Sequence, residues 1–176
     1  NVEGLVPAYL RFLVGVVDTE DISLNVSREM LQHDPILAKI GKAVVKRVLG
    51  ELEKKATKAP GEYAKFWDTF GAVLKEGIYE DPERREQLLK LSRFYSTHSN
   101  DLTSLDKYIE RMLEGQEAIY IIAGDDVAAM RHSPQIEGYV ARGAEVLLLA
   151  DPVDEFWMQA VREYGGKPFA SVTQGP

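Results

Sequence analysis

Ala118-Ile119-Tyr120-Ile121-Ile122-Ala123 and Glu145-Val146-Leu147-Leu148-Leu149-Ala150 are the two stretches that decide how this chain folds. Each is a short unbroken apolar run rather than an alternating one, the pattern of a strand covered on both faces, and each leads toward a capped helix. Between them, Ser133-Pro134 introduces a helix that ends at Gly143. After the second run, Asp151-Pro152 precedes a helix carrying Phe156, Ala160, Val161 and Tyr164, stopped by Gly165-Gly166. Lys167 to Val172 supplies a last strand. Strand, helix, strand, helix, strand implies a small, mainly parallel sheet, because parallel neighbours need a covering crossover and crossovers are right-handed. If Phe156, Ala160 and Tyr164 face that sheet, Trp157 is turned about 100° away. It is then either an exposed interface anchor or a partly buried ring at a seam.

Upstream the pattern is helical. Pro7 to Val17 carries Tyr9, Leu10, Phe12, Leu13, Val14, Val16 and Val17, too apolar to lie free in water and interrupted by Gly15, which predicts a short buried helix or turn. Asp18 to Asp21 is an acidic turn, and Leu24 to Gln32 is a loop-to-helix junction in which Ser27 can cap. Asp34-Pro35 opens a stronger helix, since Asp caps well and proline suits the first helical position. Its stripe is Leu37, Ile40, Val44, Val48 and Leu52, with Lys39, Lys42, Lys46 and Arg47 mostly off it, and it ends near Lys55. Lys58-Ala59-Pro60-Gly61 predicts a loop. Tyr63, Phe66, Trp67, Phe70, Val73 and Leu74 form a second amphipathic helix closed by Gly77, and Asp81-Pro82 starts a third through Leu88, Leu89 and Leu91. Arg93 to Thr97 suits a strand, and Thr103 or Ser104 caps a helix through Leu105, Tyr108, Ile109 and Met112. The fold class expected is α/β, a helical connecting segment followed by a small three-layer α/β/α subdomain, with the joint around Gly77 to Asp81.

Composition bounds what such a fold can do. The 176 residues are 45% hydrophobic and 28% charged, ordinary for a folded chain of one or two domains. The net charge of −7 gives no general support for binding nucleic acid or an anionic membrane, and no apolar run approaches the ~20 residues that span a bilayer. There is no cysteine, which excludes disulfides and thiolate chemistry and fits a reducing compartment, so the cytoplasm is the expected location. The start without methionine predicts a segment of a longer chain.

Local motifs carry little chemistry by themselves. Ala123-Gly124-Asp125-Asp126 lacks the spaced glycines of a dinucleotide turn and the Gly-Lys-Ser/Thr of a phosphate loop, so it predicts a structural turn. Asp125, Asp126, Asp151 and Asp154 could hold Mg²⁺ at the strand ends, but helix capping explains them more simply, and no metal site is expected. His33, His98 and His132 show no ligand spacing and are expected at the surface, and no Gly-x-Ser-x-Gly elbow accompanies the serines. The basic flank Lys39 to Arg47 lacks interleaved aromatics and predicts a solvated face rather than a nucleic-acid site. Arg28 stands in a polar loop, Asn25 to Gln32, flanked by apolar segments; its planar, permanently charged fork suits a phosphate, and a salt bridge to Glu29 or Asp21 is the simpler role.

Longer motifs narrow these alternatives. Tyr9-Leu10-Arg11-Phe12, Gly15-Val16-Val17-Asp18-Thr19-Glu20-Asp21 and Leu24-Asn25-Val26-Ser27-Arg28-Glu29-Met30-Leu31-Gln32 closely resemble the middle domain of the heat-shock protein 90 chaperones, most like their bacterial high-temperature protein G branch. Gly77-Ile78-Tyr79-Glu80-Asp81, Leu102-Thr103-Ser104-Leu105, Gln116 to Ile122, Asp151-Pro152-Val153-Asp154-Glu155 and Gly166-Lys167 follow in the family's order. The resemblance implies an ATP-driven dimeric clamp that remodels unfolded or partly folded client proteins. It implies that ATP and Mg²⁺ are held mainly by an N-terminal domain outside this chain and that the homodimer forms through a C-terminal one. It implies that Arg28 is the catalytic-loop arginine reaching the ATP γ-phosphate, with Gln32 and Asn25 in the same loop. It further implies that residues 1–78 are the catalytic-loop and connecting segment and that residues 79–176 are the small α/β subdomain.

On that resemblance the helix with Glu155, Phe156, Trp157 and Gln159 is the candidate client-contacting surface, and the fragment alone binds no cofactor and hydrolyses no ATP. Two rival readings stand beside it. One is a nucleotide- or sugar-phosphate-binding α/β enzyme using the strand ends near Gly124 and Asp151; the other is a passive connector that sets domain spacing.

Overall fold

The computed structural model describes residues 6–13 and 35–174. The chain divides into two compact units, Asn1–Tyr63 and Ala64–Pro176. In the first, a 3₁₀ turn at Ala8–Leu10 places Tyr9 and Leu10 in full burial, as the apolar run predicts. Helix α1, Pro35–Lys58, buries Leu37, Gly41, Val45, Leu49 and Leu52. That stripe lies one residue round from the expected one: Ile40, Val44 and Val48 sit at its half-buried margin. Lys39, Lys42, Lys46 and Arg47 are exposed, and Arg47 meets Glu51 one turn on at 3.3 Å, the solvated flank expected.

Helix α2, Pro60–Glu80, begins after a single intervening residue, Ala59, where the breakers predict a longer loop. Proline is accommodated there because it occupies the first position of the new helix. Gly77 does not close α2, which runs on to Glu80 and is ended by Pro82 inside a 3₁₀ turn, Pro82–Arg84. Helix α3, Arg85–Leu91, follows and buries Leu88, Leu89 and Leu91.

The second unit is built on a six-stranded sheet of order β2-β1-β4-β3-β6-β5. Its strands are β1 (Phe94–Ser96), β2 (Ser99–Thr103), β3 (Ile119–Ala123), β4 (Val146–Leu149), β5 (Glu163–Tyr164) and β6 (Lys167–Ser171). The deciding runs are its centre: β3 lies parallel to β4 and to β6, with Tyr120 beside Val146 and Ile119 beside Phe169. All four residues of β4 are buried, which explains the unbroken apolar run. Antiparallel strands flank this parallel core: β1 pairs with both β2 and β4, and β5 pairs with β6.

Between the strands lie α4 (Leu105–Glu110), α5 (Val127–Arg131), α6 (Pro134–Ala141) and α7 (Val153–Ala160). Ser104, Asp126 and Ser133 cap α4, α5 and α6 through their side chains, accepting from Lys107 at 3.1 Å, Ala128 at 3.0 Å and Gln135 at 3.2 Å. Ile122, Val146 and Leu148 cluster with Met130 and Ile136 of α5 and α6 on one face of the sheet. Phe94 and Phe169, on the other, meet Trp157 of α7 at 5.9 and 5.6 Å between ring centroids. Helices therefore cover both faces, giving the three layers expected.

One helix departs from expectation in a way that bears on function. Helix α7 ends at Ala160, so Tyr164 lies in β5 rather than on the helix. Gly165 and Gly166, at φ of +58° and +78°, make the two-residue turn of the β5–β6 hairpin instead of a helix stop. Two consecutive left-handed residues match the twist of a hairpin, and glycine takes that backbone without strain.

Candidate functional site

Asn25, Arg28 and Gln32 lie outside the described residues, as do His33 and Asp34. The other candidate face is described in full. Trp157 is completely buried, whereas Phe156 is 60% exposed, with Glu155 and Gln159 exposed beside it. The orientation of α7 is thus the reverse of the one in which Phe156 and Ala160 face the sheet; Trp157 is neither an exposed anchor nor at a partly open seam.

Trp157 packs against Phe94 and Phe169 and donates into a buried ionic cluster. Asp154, in the first turn of α7, accepts the Trp157 indole N–H through Oδ1 at 2.7 Å, and its Oδ2 accepts the Asp151 backbone N–H at 3.1 Å. The same Oδ1 accepts from Lys75 Nζ of α2 at 2.9 Å, and Asp151 accepts a second bond from that ammonium at 2.8 Å. The Lys75 and Asp154 side chains are 4% and 2% exposed. Nζ also lies 4.8 Å from the centre of the Phe94 ring and 5.8 Å from that of Trp67, where the ring faces attract a desolvated cation. Asp151 and Asp154 are thus both engaged by an ammonium, whereas Asp126 is a plain helix cap. The apolar spacing of α2 does not mark Lys75. The available signal is the i, i+4, i+8 row Trp67, Gly71, Lys75, which puts a lysine on the same side of the helix as a buried indole. A cavity of about 140 Å³ opens beside the cluster, lined by Trp67, Lys75, Arg93, Phe94, Tyr95 and Asp151 among others.

A second polar cluster seats α4 against the sheet. The Tyr108 hydroxyl donates to the Glu145 carbonyl at 2.7 Å and accepts from the Tyr120 N–H and the Gln116 amide, both at 2.9 Å. Burial pushes the Tyr108 phenol up to about 12, against the opposing effect of the bond from Tyr120. Arg111 grips Glu145 with two bonds of 2.9 Å, and this pairing raises its guanidinium above the ordinary value. Tyr164 is likewise raised, first by burial and then by its bond to Asp106 at 2.7 Å.

The strand ends show no phosphate cradle at Gly124. Its N–H donates to the Leu149 carbonyl at 3.0 Å, and a Cβ there would lie 3.0 Å from the Met130 sulfur, so the turn is occupied by main-chain pairing and side-chain packing. Among the described residues no group of three or more His, Asp or Glu is placed to hold a metal ion, and His98 and His132 are exposed. No helix among them is long and apolar enough to cross a membrane.

A three-layer α/β/α sheet carrying an outward aromatic on a short helix, preceded by two long helices, defines a class of domain that comparison with known proteins makes specific. The family model described as Hsp90 protein matches residues 1–176, and the chain belongs to that family. Its structure is similar to the middle domain of a Plasmodium falciparum heat shock protein, with a TM-score of 0.80 and 33% identity over 96% of this chain and 66% of that one. Among curated relatives it is 60% identical over 175 residues to the chaperone protein HtpG of Roseobacter denitrificans, covering 99% of this chain and 28% of the relative. It is 59% identical over 170 residues to HtpG of Paramagnetospirillum magneticum, covering 97% and 27% respectively. The chain thus spans little more than a quarter of the length of these relatives and has the fold of an Hsp90 middle domain.

Proposed function

We propose that this chain is the middle-domain segment of an ATP-driven chaperone, in which Arg28 contacts the ATP γ-phosphate and α7 meets unfolded or partly folded client proteins. The observation that carries the reading is the family match over the whole chain, together with the likeness to a middle domain. Residues 1–78 serve as the catalytic-loop and connecting segment and residues 79–176 as the small α/β subdomain. The partners are the protein's own N-terminal ATPase domain, which holds ATP and Mg²⁺, and a second copy joined through a C-terminal domain. The setting is the cytoplasm.

Phosphoryl transfer depends on position and on stabilising charge spread over the transferred group, and a guanidinium offers a fixed fork of donors for that purpose. Asn25 and Gln32, in the same polar loop, are the neighbouring groups of this contact. Because the triphosphate is held by another domain, the contact exists only in the closed arrangement, and ATP favours closure by the free energy of such differential contacts. On α7 the exposed Glu155, Phe156 and Gln159 form the client-contacting surface; Trp157, being buried, supplies support beneath it.

ATP turnover by the full-length protein carrying Arg28→Ala tests the catalytic part. Turnover is expected to fall about 10²-fold, the scale of one lost charge-stabilising donor, with ATP affinity retained. Unchanged turnover together with unchanged affinity would remove Arg28 from the mechanism.

A further inference from the structure

An eight-residue helix has little hold on its own rotation. Helix α7 has Pro152 at its N-cap position and no capping side chain, so the face it presents is set by tertiary bonds. Trp157 packs against Phe94 and Phe169 of the sheet, and the polar contacts converge on Asp154. By accepting from Trp157 three residues on, it brings positions 154 and 157 to one side; positions 155, 156 and 159 are then outward. The bond that anchors Asp154 to another element comes from Lys75 of α2.

Helix α2 is shaped for this task at three positions one turn apart. At Gly71 a Cβ would lie 2.5 Å from the Trp67 ring, so only glycine lets the indole lie flat across the helix and wall in the ammonium at position 75. One turn after Lys75, Tyr79 meets Phe156 at 6.2 Å between centroids. The row Gly71, Lys75, Tyr79 thus makes room for an indole, holds the α7 carboxylate and abuts the exposed aromatic of α7. A buried ion pair adds little net stability over an apolar pair of the same volume, and in some proteins its role is to select one arrangement over others.

We propose that Lys75 is a positioning residue for client contact: from α2 it fixes the rotation of α7, so that Phe156 is presented and Trp157 is withheld, and Tyr79 extends the presented surface onto α2. This rests on the reading of α7 as the client-contacting helix.

The test uses the full-length protein with both buried charges removed together, Lys75→Met/Asp154→Asn, which leaves an acceptor for the indole and no unpaired buried charge; Asp151, which also loses the ammonium, has its side chain 41% exposed to water. Two quantities are measured: backbone hydrogen exchange, and binding of labelled reduced carboxymethylated α-lactalbumin, a permanently unfolded probe. Exchange in Val153–Ala160 is expected to quicken about tenfold or more while β3 and β4 keep their protection, and binding to weaken about as much as in Phe156→Ala. Unchanged α7 exchange would overturn the proposal, as would a loss of protection that includes β3 and β4, because the pair would then hold the sheet rather than the helix. Loosened α7 with undiminished binding, where Phe156→Ala does weaken it, would also overturn it. If Phe156→Ala itself leaves binding unchanged, the client-contact reading falls, and α7 exchange still decides whether Lys75 sets the helix.

Discussion

Helices α4 and α7 are both short, and both are keyed to the sheet unit by a cluster of polar side chains, but the clusters end on different things. Tyr108 of α4 bonds to main-chain groups at the entrances of β3 and β4, the Tyr120 N–H and the Glu145 carbonyl. Its position is therefore as fixed as the sheet. Asp154 of α7 bonds instead to an ammonium at the end of a flexible four-carbon stem on a neighbouring helix. The contrast separates a helix whose polar cluster ends on the frame from one whose polar cluster ends on another helix, and the second kind is the one that carries the exposed Phe156.

The sharpest way to break this contrast is the single substitution Lys75→Met. It leaves Asp154 charged and buried without its partner, so a loss of about 3–5 kcal/mol is expected, larger than in the double variant with Asp154→Asn. Unfolding of the two variants in denaturant gives the comparison directly; equal losses in the single and double variants would mean that the ammonium contributes by packing alone. Next in size is Tyr108→Phe, which strips a donor and an acceptor from buried partners and should cost about 1–3 kcal/mol near neutral pH. Because the folded state holds this phenol up to about 12, against 10 when unfolded, its stabilising effect is complete below pH 10 and is lost as pH rises toward 12. Stability of the parent protein should therefore fall over that window, and the fall should be smaller in Tyr108→Phe; identical alkaline slopes in denaturant titrations would refute this. Smallest is Phe156→Ala, expected to change stability by no more than about 0.5 kcal/mol because the ring is largely in water. A large loss would place Phe156 in the support of α7 rather than on its working face.

The centre of the fold is legible in the sequence because its physics is local. An unbroken run such as Val146 to Leu149 has few folded fates, and Ser104, Asp126 and Ser133 mark helix starts through bonds that span two or three residues. Strand β2 is not legible: Ser99, Asn100 and Asp101 are polar and exposed, and they are strand only because β1 lies beside them. The face of α7 is illegible for a similar reason. Phe156 and Trp157 are adjacent, equally apolar by pattern, and eight residues are too few for periodicity to choose between them. The choice is made by Lys75, 79 positions away from Asp154. The helix from Tyr63 onward reads as an apolar stripe, and a lysine in it passes for solvent-facing until its partner is placed.

The chain has two tryptophans, and both border the same ammonium: Trp67 lies 5.8 Å from it, and Trp157 shares its Asp154 acceptor. Indole emission from this segment therefore originates within one small neighbourhood, where the colour of the light is sensitive to the field of nearby charges. Any event that displaces Lys75 would shift that colour with no label attached, so the segment holds an optical gauge of its own ionic cluster.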